Sequence, residues 1–371
     1  MKWLKILKKS LSTIGLMLYL GIPLLSIFYY DLAIYGIGQG YGQMGILWNT
    51  RPIKEVLEDT NFPDSLKNKV KLIEEIKTFA TKELGIRPSE NYTTLYDQRG
   101  KAILWIVTAS DPYALHALEW NYGFLGDMSY KGFFNLQSAR RMALKLQKEG
   151  YDVDIDEVSA WSTLGWFRDP ILTSMLRRGE GSLAELIIHE LTHGTLWITD
   201  EVEYNENLAD FVGEKGAILF LEKKYGKNSA AYRKYIDDKQ DNDKFFAHIL
   251  AGAKKLDNFY KNLPKDLPEA TKRKQKLLMI EQIIKNLDTV GFARKERFAQ
   301  AFRIPLRNHP VHQIMKKVFR TDYLLYLPNN TYFMGFLRYR GKQNQFEEEY
   351  KTQFQSDFFA YFSYLKKKYG K

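Results

Sequence analysis

The chain has 371 residues, 45% hydrophobic and 27% charged, which is enough for one large domain or two small ones with a sizeable core. It has no cysteine, and that excludes disulfides, zinc–thiolate sites, thiol nucleophiles and a lipidated cysteine together. The formal charge is +11, with lysine and arginine spread along helical-looking faces of residues 214–371. No single basic block forms, so the charge reads as solvated surface rather than a nucleic-acid patch. The aromatic content of 15% reads as core and interface packing and carries no function by itself.

The first 30 residues are set apart from the rest. Lys2, Lys5, Lys8 and Lys9 precede 21 uncharged residues, Ser10 to Tyr30. About 20 apolar residues span a bilayer as a helix. A cleaved secretory signal has a shorter core, roughly 7–15 residues, and a small-x-small cleavage site. The best such site is the weak Gly36-Ile37-Gly38. The stretch is therefore expected to be an uncleaved transmembrane anchor over residues 1–30, followed by one domain over 31–371. No basic residue follows the span until Arg51, so the N-terminus is expected in the cytoplasm and the domain outside the cell membrane, on the periplasmic side. That location leaves no nucleic-acid partner.

Beyond the anchor, Pro63 to Ile86 reads as a helix, with Leu66, Val70, Ile73, Ile76 and Ala80 at three- and four-residue steps. Pro63 suits its first turn and Gly85 its end. "NYTTLYD" and "KAILWIVTAS" are β-rich runs separated by "QRG", which reads as a hairpin. "LEWNYGFLGDMSYKGFF" holds further Gly-punctuated strand-like pieces. Leu136 to Gly150 reads as a helix with a glycine stop, and "YDVDIDEVSAWSTLGWF" as strand again. From Glu180 onward the pattern is almost wholly helical, broken at Leu263-Pro264, Ile304-Pro305, Asn308 to Pro310 and Leu327-Pro328. No internal repeat or low-complexity segment occurs. The expected fold is α+β, a small mixed region followed by a mainly helical half.

The segment with chemistry is "SLAELIIHELTHGTLWITDEVEYNENLADFVG". Leu183, Ile187 and Leu191 share one helical face. His189 and His193 lie four apart, about 40° around the axis and one turn along it. Two imidazoles so placed can bind one zinc ion. Glu190, rotated by about 100°, can reach a water at the metal without ligating it. This H-E-x-x-H spacing is that of a metalloprotease zinc site with a catalytic glutamate. Such a site needs a third protein ligand and an open position. Glu206 follows 13 residues after His193. The segment "ITDEV" supplies a turn, with Asp200 and Glu203 as a capping pair. Val202, Leu208, Phe211, Val212 and Leu219 form the next apolar face. Two antiparallel helices would then carry Glu206 over the histidines. Asp210, one turn further, is placed to accept the second N–H of a liganding histidine, and Asn205 to brace the site. His116, His248, His309 and His312 read as surface or loop residues.

The N-E-x-x-A-D after H-E-x-x-H resembles the gluzincin pattern, although thermolysin-like enzymes have a longer interval. A closer resemblance is to a bacterial family of predicted aminopeptidases. It is carried by "STLGWFRDP", by H-E-L-T-H, by "YNENLADFVG", and by "GYGQMGILWNTRPIKEVL", "YKGFFN" and "NNTYFMGFLRY". The resemblance implies a gluzincin-like metallopeptidase domain with one zinc per chain. Its ligands would be His189, His193 and Glu206, and Glu190 the acid/base. Tyr339 matches the tyrosine closing "NNTYFMGFLRY" and becomes the candidate donor to the oxygen that gains charge in hydrolysis, with Tyr332, Arg338 and Arg340 as rivals. Ser162, Thr163, Leu164, Gly165 and Trp166 either belong to the core or edge the cleft and bind an extended peptide substrate through backbone groups. Two departures stand out: many family members carry an N-terminal cysteine, and the G-x-M-E-N amine-binding signature of well-known zinc aminopeptidases is missing. The alternatives are a non-catalytic zinc-containing envelope module, or a hydrolase of another amide such as a cell-wall peptide.

Overall fold

The computed structural model describes residues 30–122, 127–158, 168–199, 201–294, 298, 302–305, 323–340 and 343–370. The chain divides into a unit of residues 1–50 and a unit of residues 51–371. Apart from Tyr30, the predicted span lies outside the described residues. No helix among the described residues is long and apolar enough to cross a membrane. The first unit contributes one described helix, α1 (Tyr30–Trp48).

The second unit mixes strands and helices. β1 (Thr50–Pro52) leads into α2 (Ile53–Glu58) and α3 (Asp64–Lys82). α3 is the helix expected from Pro63 onward. Its stripe Val70, Ile73, Ile76 and Ala80 is fully buried, as three- and four-residue spacing requires. Gly85 then takes a left-handed φ of 71°, which ends the helix without a Cβ clash. Next come β2 (Thr94–Tyr96), β3 (Trp105–Ser110), β4 (Trp120–Asn121), β5 (Asp127–Met128), β6 (Lys131–Phe133), α4 (Leu136–Lys148), β7 (Asp152–Glu157) and β8 (Ile171–Leu172).

β3 is the centre of an antiparallel sheet in the order β6-β3-β7. α4 covers it, with Ala139, Ala143 and Leu146 on Val107, Ala109 and Val153. Asn135 caps α4 by accepting from the Ser138 amide at 3.1 Å. The expected hairpin between "NYTTLYD" and "KAILWIVTAS" does not form. β2 joins a different sheet, ordered β1-β2-β8, and pairs in parallel with β8. The turn at Arg99 and Gly100 exists, with φ of 50° and 73°. Gln98 decides the outcome: its amide donates to Thr173 Oγ1 at 3.1 Å and its side-chain oxygen accepts from the Ser174 amide at 2.7 Å. The chain is thereby held along the β8 segment, and β3 departs to its own sheet.

The helical half follows: α5 (Glu180–His193), α6 (Val202–Tyr225), α7 (Ala230–Lys261) and α8 (Glu269–Lys285). The short pair β9 (Arg303–Pro305) and β10 (Tyr323–Leu325) interrupts it before α9 (Asn330–Arg340), α10 (Gln343–Phe354) and α11 (Phe358–Tyr369). Ile249, Leu256, Ile280, Ile283 and Phe333 form the core shared by α7, α8 and α9. A polar junction fastens this half to the β3 sheet. Buried Asn330 accepts from the Tyr260 hydroxyl at 2.7 Å and donates to the Asp111 carbonyl at 2.8 Å. Its own amide donates to Asp152 Oδ2 at 2.9 Å, and Lys276 Nζ pairs with the same carboxylate.

Candidate metal centre

α5 buries Leu183, Ala184, Ile187, Ile188 and Leu191, leaving one side for the histidines. α6 runs antiparallel to it: His193 faces Glu206, His189 faces Asp210, and Gly213 meets the Glu185 backbone. The turn between the helices is tight because Asn205 closes it from both sides. Its side-chain oxygen accepts from the Ile198 amide at 2.8 Å, and its side-chain nitrogen donates to the Ile198 carbonyl at 2.6 Å. Glu201 stands at the start of α6 and makes no side-chain capping bond. The expected cap at Asp200 lies outside the described residues, and the bond that fixes the turn is that of Asn205. The segment Tyr369–Gly370 completes the support. The Trp197 amide donates to the Tyr369 carbonyl at 3.3 Å, and Leu196 bridges to Gly370. The Tyr204 and Tyr369 hydroxyls lie 3.0 Å apart. Trp197 sits edge-on to His193, with ring centres 5.7 Å apart.

The structure brings five of the sequence-derived residues to one point. His189 Nε2 lies 3.4 Å from one Glu206 oxygen, and His193 Nε2 lies 3.5 Å from the other. Both distances exceed an ordinary N–H···O bond of roughly 2.7–3.2 Å. In a tetrahedral zinc site one carboxylate oxygen would stand about 3.4 Å from each nitrogen; here each ring faces a different oxygen of the same Glu206 carboxylate. His189 Nδ1 donates to Asp210 Oδ1 at 2.8 Å, which leaves Nε2 facing Glu206. One nitrogen of each imidazole and a Glu190 oxygen lie within 4.8 Å of one another. His189, His193 and Glu206 could therefore hold a divalent cation, with Glu190 beside it.

The electrostatics suit a cation. Burial pulls the His189 pKa down, but the Asp210 carboxylate bonded to Nδ1 and the Glu206 carboxylate facing Nε2 outweigh it and hold the imidazole well above its ordinary value. Burial pushes Glu206 up, but the two histidines that face it bring it below the usual range. A metal would neutralise this pocket of carboxylates.

Three further residues escape sequence reasoning. Gly213 lets the helices approach: an added Cβ would stand 2.8 Å from the Glu185 carbonyl oxygen and 3.1 Å from the His189 Cβ. Gly213 and Gly216, three apart inside one helical pattern, are the signal that points to such contact. Gly213→Ala should push α6 off α5 and cost about 1–3 kcal/mol by overpacking. Calorimetry and chelator competition should show a lower Tm and weaker metal binding; wild-type values for both would mean that the close approach is not needed. Tyr92 is buried and holds a φ of 64°, rare for a bulky residue. Burial and the charges of Glu190 and Asp169 push its hydroxyl pKa well up, so it lies within reach of the site's field. Asp169, which in sequence reads as a turn residue, is buried and accepts from the Tyr92 amide through its carbonyl at 2.7 Å.

The remaining candidates are not gathered here. Ser162, Thr163, Leu164, Gly165 and Trp166 lie outside the described residues, as do His309 and His312. Tyr339 falls in the last turn of α9, and its side chain is likewise outside what the structure describes. His116 is exposed beside Asp111, and His248 Nε2 lies 2.8 Å from the Ile283 carbonyl.

No curated protein and no solved structure matches the chain. A family model matches residues 34–369, from α1 through both histidine-bearing and glutamate-bearing helices to α11. The chain belongs to the family described as putative aminopeptidase.

Proposed function

We propose that this chain is a zinc-dependent peptidase of gluzincin type that removes residues from peptide N-termini and is anchored by residues 10–30. The observation that carries the reading is that the Glu206 carboxylate faces both His189 Nε2 and His193 Nε2, at 3.4 and 3.5 Å, with Glu190 beside the two rings. When bound, zinc supplies Lewis acidity to the scissile carbonyl and to water. The chain's own residues supply the proton traffic. The Glu190 carboxylate takes a proton from the attacking water and delivers it to the departing amine nitrogen. Asp210 holds the His189 Nδ1 proton and so fixes that ring's orientation. The lysine asymmetry about Ser10–Tyr30 supports an N-terminus in the cytoplasm and a catalytic domain outside it.

The test uses the full chain in detergent with a peptide mixture, half with free and half with acetylated N-termini, read by mass spectrometry with and without chelator. Single-residue shortening of the free peptides alone, lost with chelator and restored by zinc, is expected. Internal cleavage would replace the aminopeptidase reading by an endopeptidase one, and cleavage indifferent to chelator would reject the metal. Tyr339 is the proposed donor to the oxygen that gains charge. Tyr339→Phe should lower kcat by about 10²-fold or more with zinc content unchanged. A variant within about twofold of wild type would remove Tyr339 from the mechanism and turn attention to Tyr332.

A further inference from the structure

α1 has two unlike sides. At about 100° per residue, Ile34, Ile37, Tyr41 and Trp48 fall within an arc of about 60°. All four are exposed, Tyr41 at 79% and Trp48 at 74%. Gln39, Gln43 and the buried Ile46 lie together on the opposite side. From Leu32 to Thr50 the chain carries no charge. Single exposed apolar residues are ordinary, but four aligned on an uncharged helix make a continuous strip facing water.

The preceding sequence says what covers it. The uncharged stretch Ser10–Tyr30 runs directly into α1, whose one charged residue is Asp31 in its first turn. If that stretch crosses the bilayer, as proposed above, α1 begins at the membrane surface with no linker to carry it away. Its length of about 28 Å starts at that surface, where an exposed apolar strip is best covered by lying along it. Tyrosine and tryptophan favour the headgroup boundary, where an apolar ring and a polar tip are both satisfied. We infer that α1 lies in the outer boundary of the bilayer, with Ile34, Ile37, Tyr41 and Trp48 turned toward the acyl chains and the Gln39–Gln43 side turned away. The occupant of the strip is lipid, and α1 is a second membrane contact distinct from the span.

The absence of cysteine makes the test direct. Single-cysteine variants of the full chain (Ile34→Cys, Ile37→Cys, Tyr41→Cys and Trp48→Cys, against Gly36→Cys and Gly40→Cys on another side) are labelled with bimane. They are reconstituted in phosphatidylethanolamine–phosphatidylglycerol vesicles with and without lipid brominated on its acyl chains. Loss of emission at 34, 37, 41 and 48, with emission retained at 36 and 40, is expected. Equal quenching on both sides, or none, overturns the inference. Self-quenching between labels at 34 and 41 without quenching by lipid overturns it in favour of a second copy of the chain. An alkaline wash of the same vesicles separates this outcome from failure of the span. A chain that resists the wash but shows an unquenched strip keeps its anchor and loses the α1 contact. A chain that washes off yet was quenched loses the anchor and keeps α1 as a lipid-binding helix.

Discussion

A His193→Ala chain should carry almost no zinc, where the wild-type chain is expected to carry close to one ion per molecule, and the variant should be inactive in every peptide assay. The expectation follows from how few groups converge. His193 Nε2 faces one Glu206 oxygen at 3.5 Å and His189 Nε2 faces the other at 3.4 Å. Removing one imidazole leaves two ligands, too few to hold a zinc against competing water. The ring is 4% exposed and packs edge-on against Trp197, so alanine also opens a void beside the turn. Circular dichroism must show the helices retained for the metal result to count. Glu206→Gln, nearly isosteric, supplies the second reading: it should lose zinc with little change in fold. Elemental analysis decides the matter, and a His193→Ala chain with normal zinc would end the assignment of this site.

Glu190→Gln should do the opposite to the metal and the same to turnover. Zinc content and helicity are expected to remain, while kcat falls by about 10²–10⁴-fold, the range of one positioned general base. Glu190 is one residue from His189 on α5, and its oxygen lies within 4.8 Å of a nitrogen of each imidazole. This puts it within reach of water at an ion held by the two rings, which is the role proposed for it. Loss of zinc in Glu190→Gln would make Glu190 a ligand. Turnover at the wild-type rate would remove it from proton transfer.

Much of the centre is legible in the sequence because helices have a fixed period. His189, His193 and Glu190 fall into place from spacing alone, and the buried stripe of α3 does so for the same reason. Glu206 and Asp210 need one more inference, an antiparallel return over a short turn, and the structure brings both to His189. Contacts between distant segments leave no periodic trace. Gln98 binds Thr173 and Ser174, which removes the hairpin that a local reading of "QRG" expects. Asp169 reads as a turn before proline until its carbonyl is found holding the Tyr92 amide. Gly213 is one glycine among 25, and only the neighbouring Glu185 carbonyl shows why no larger residue fits.

The pairing of Leu196 and Trp197 with Tyr369 and Gly370 has a bearing on biogenesis. The Tyr204–Tyr369 contact that belongs to it joins residues 165 positions apart. During synthesis, both histidines and Glu206 leave the ribosome well before Tyr369 exists. For that interval the nascent chain carries these three side chains without the segment that steadies the turn between their helices. Loop closure over such a distance is slow and comes late in folding. The candidate metal centre is therefore expected to be among the last parts to become rigid, and a chain cut short before Tyr369 keeps His189, His193 and Glu206 but lacks the segment that holds the turn between their helices.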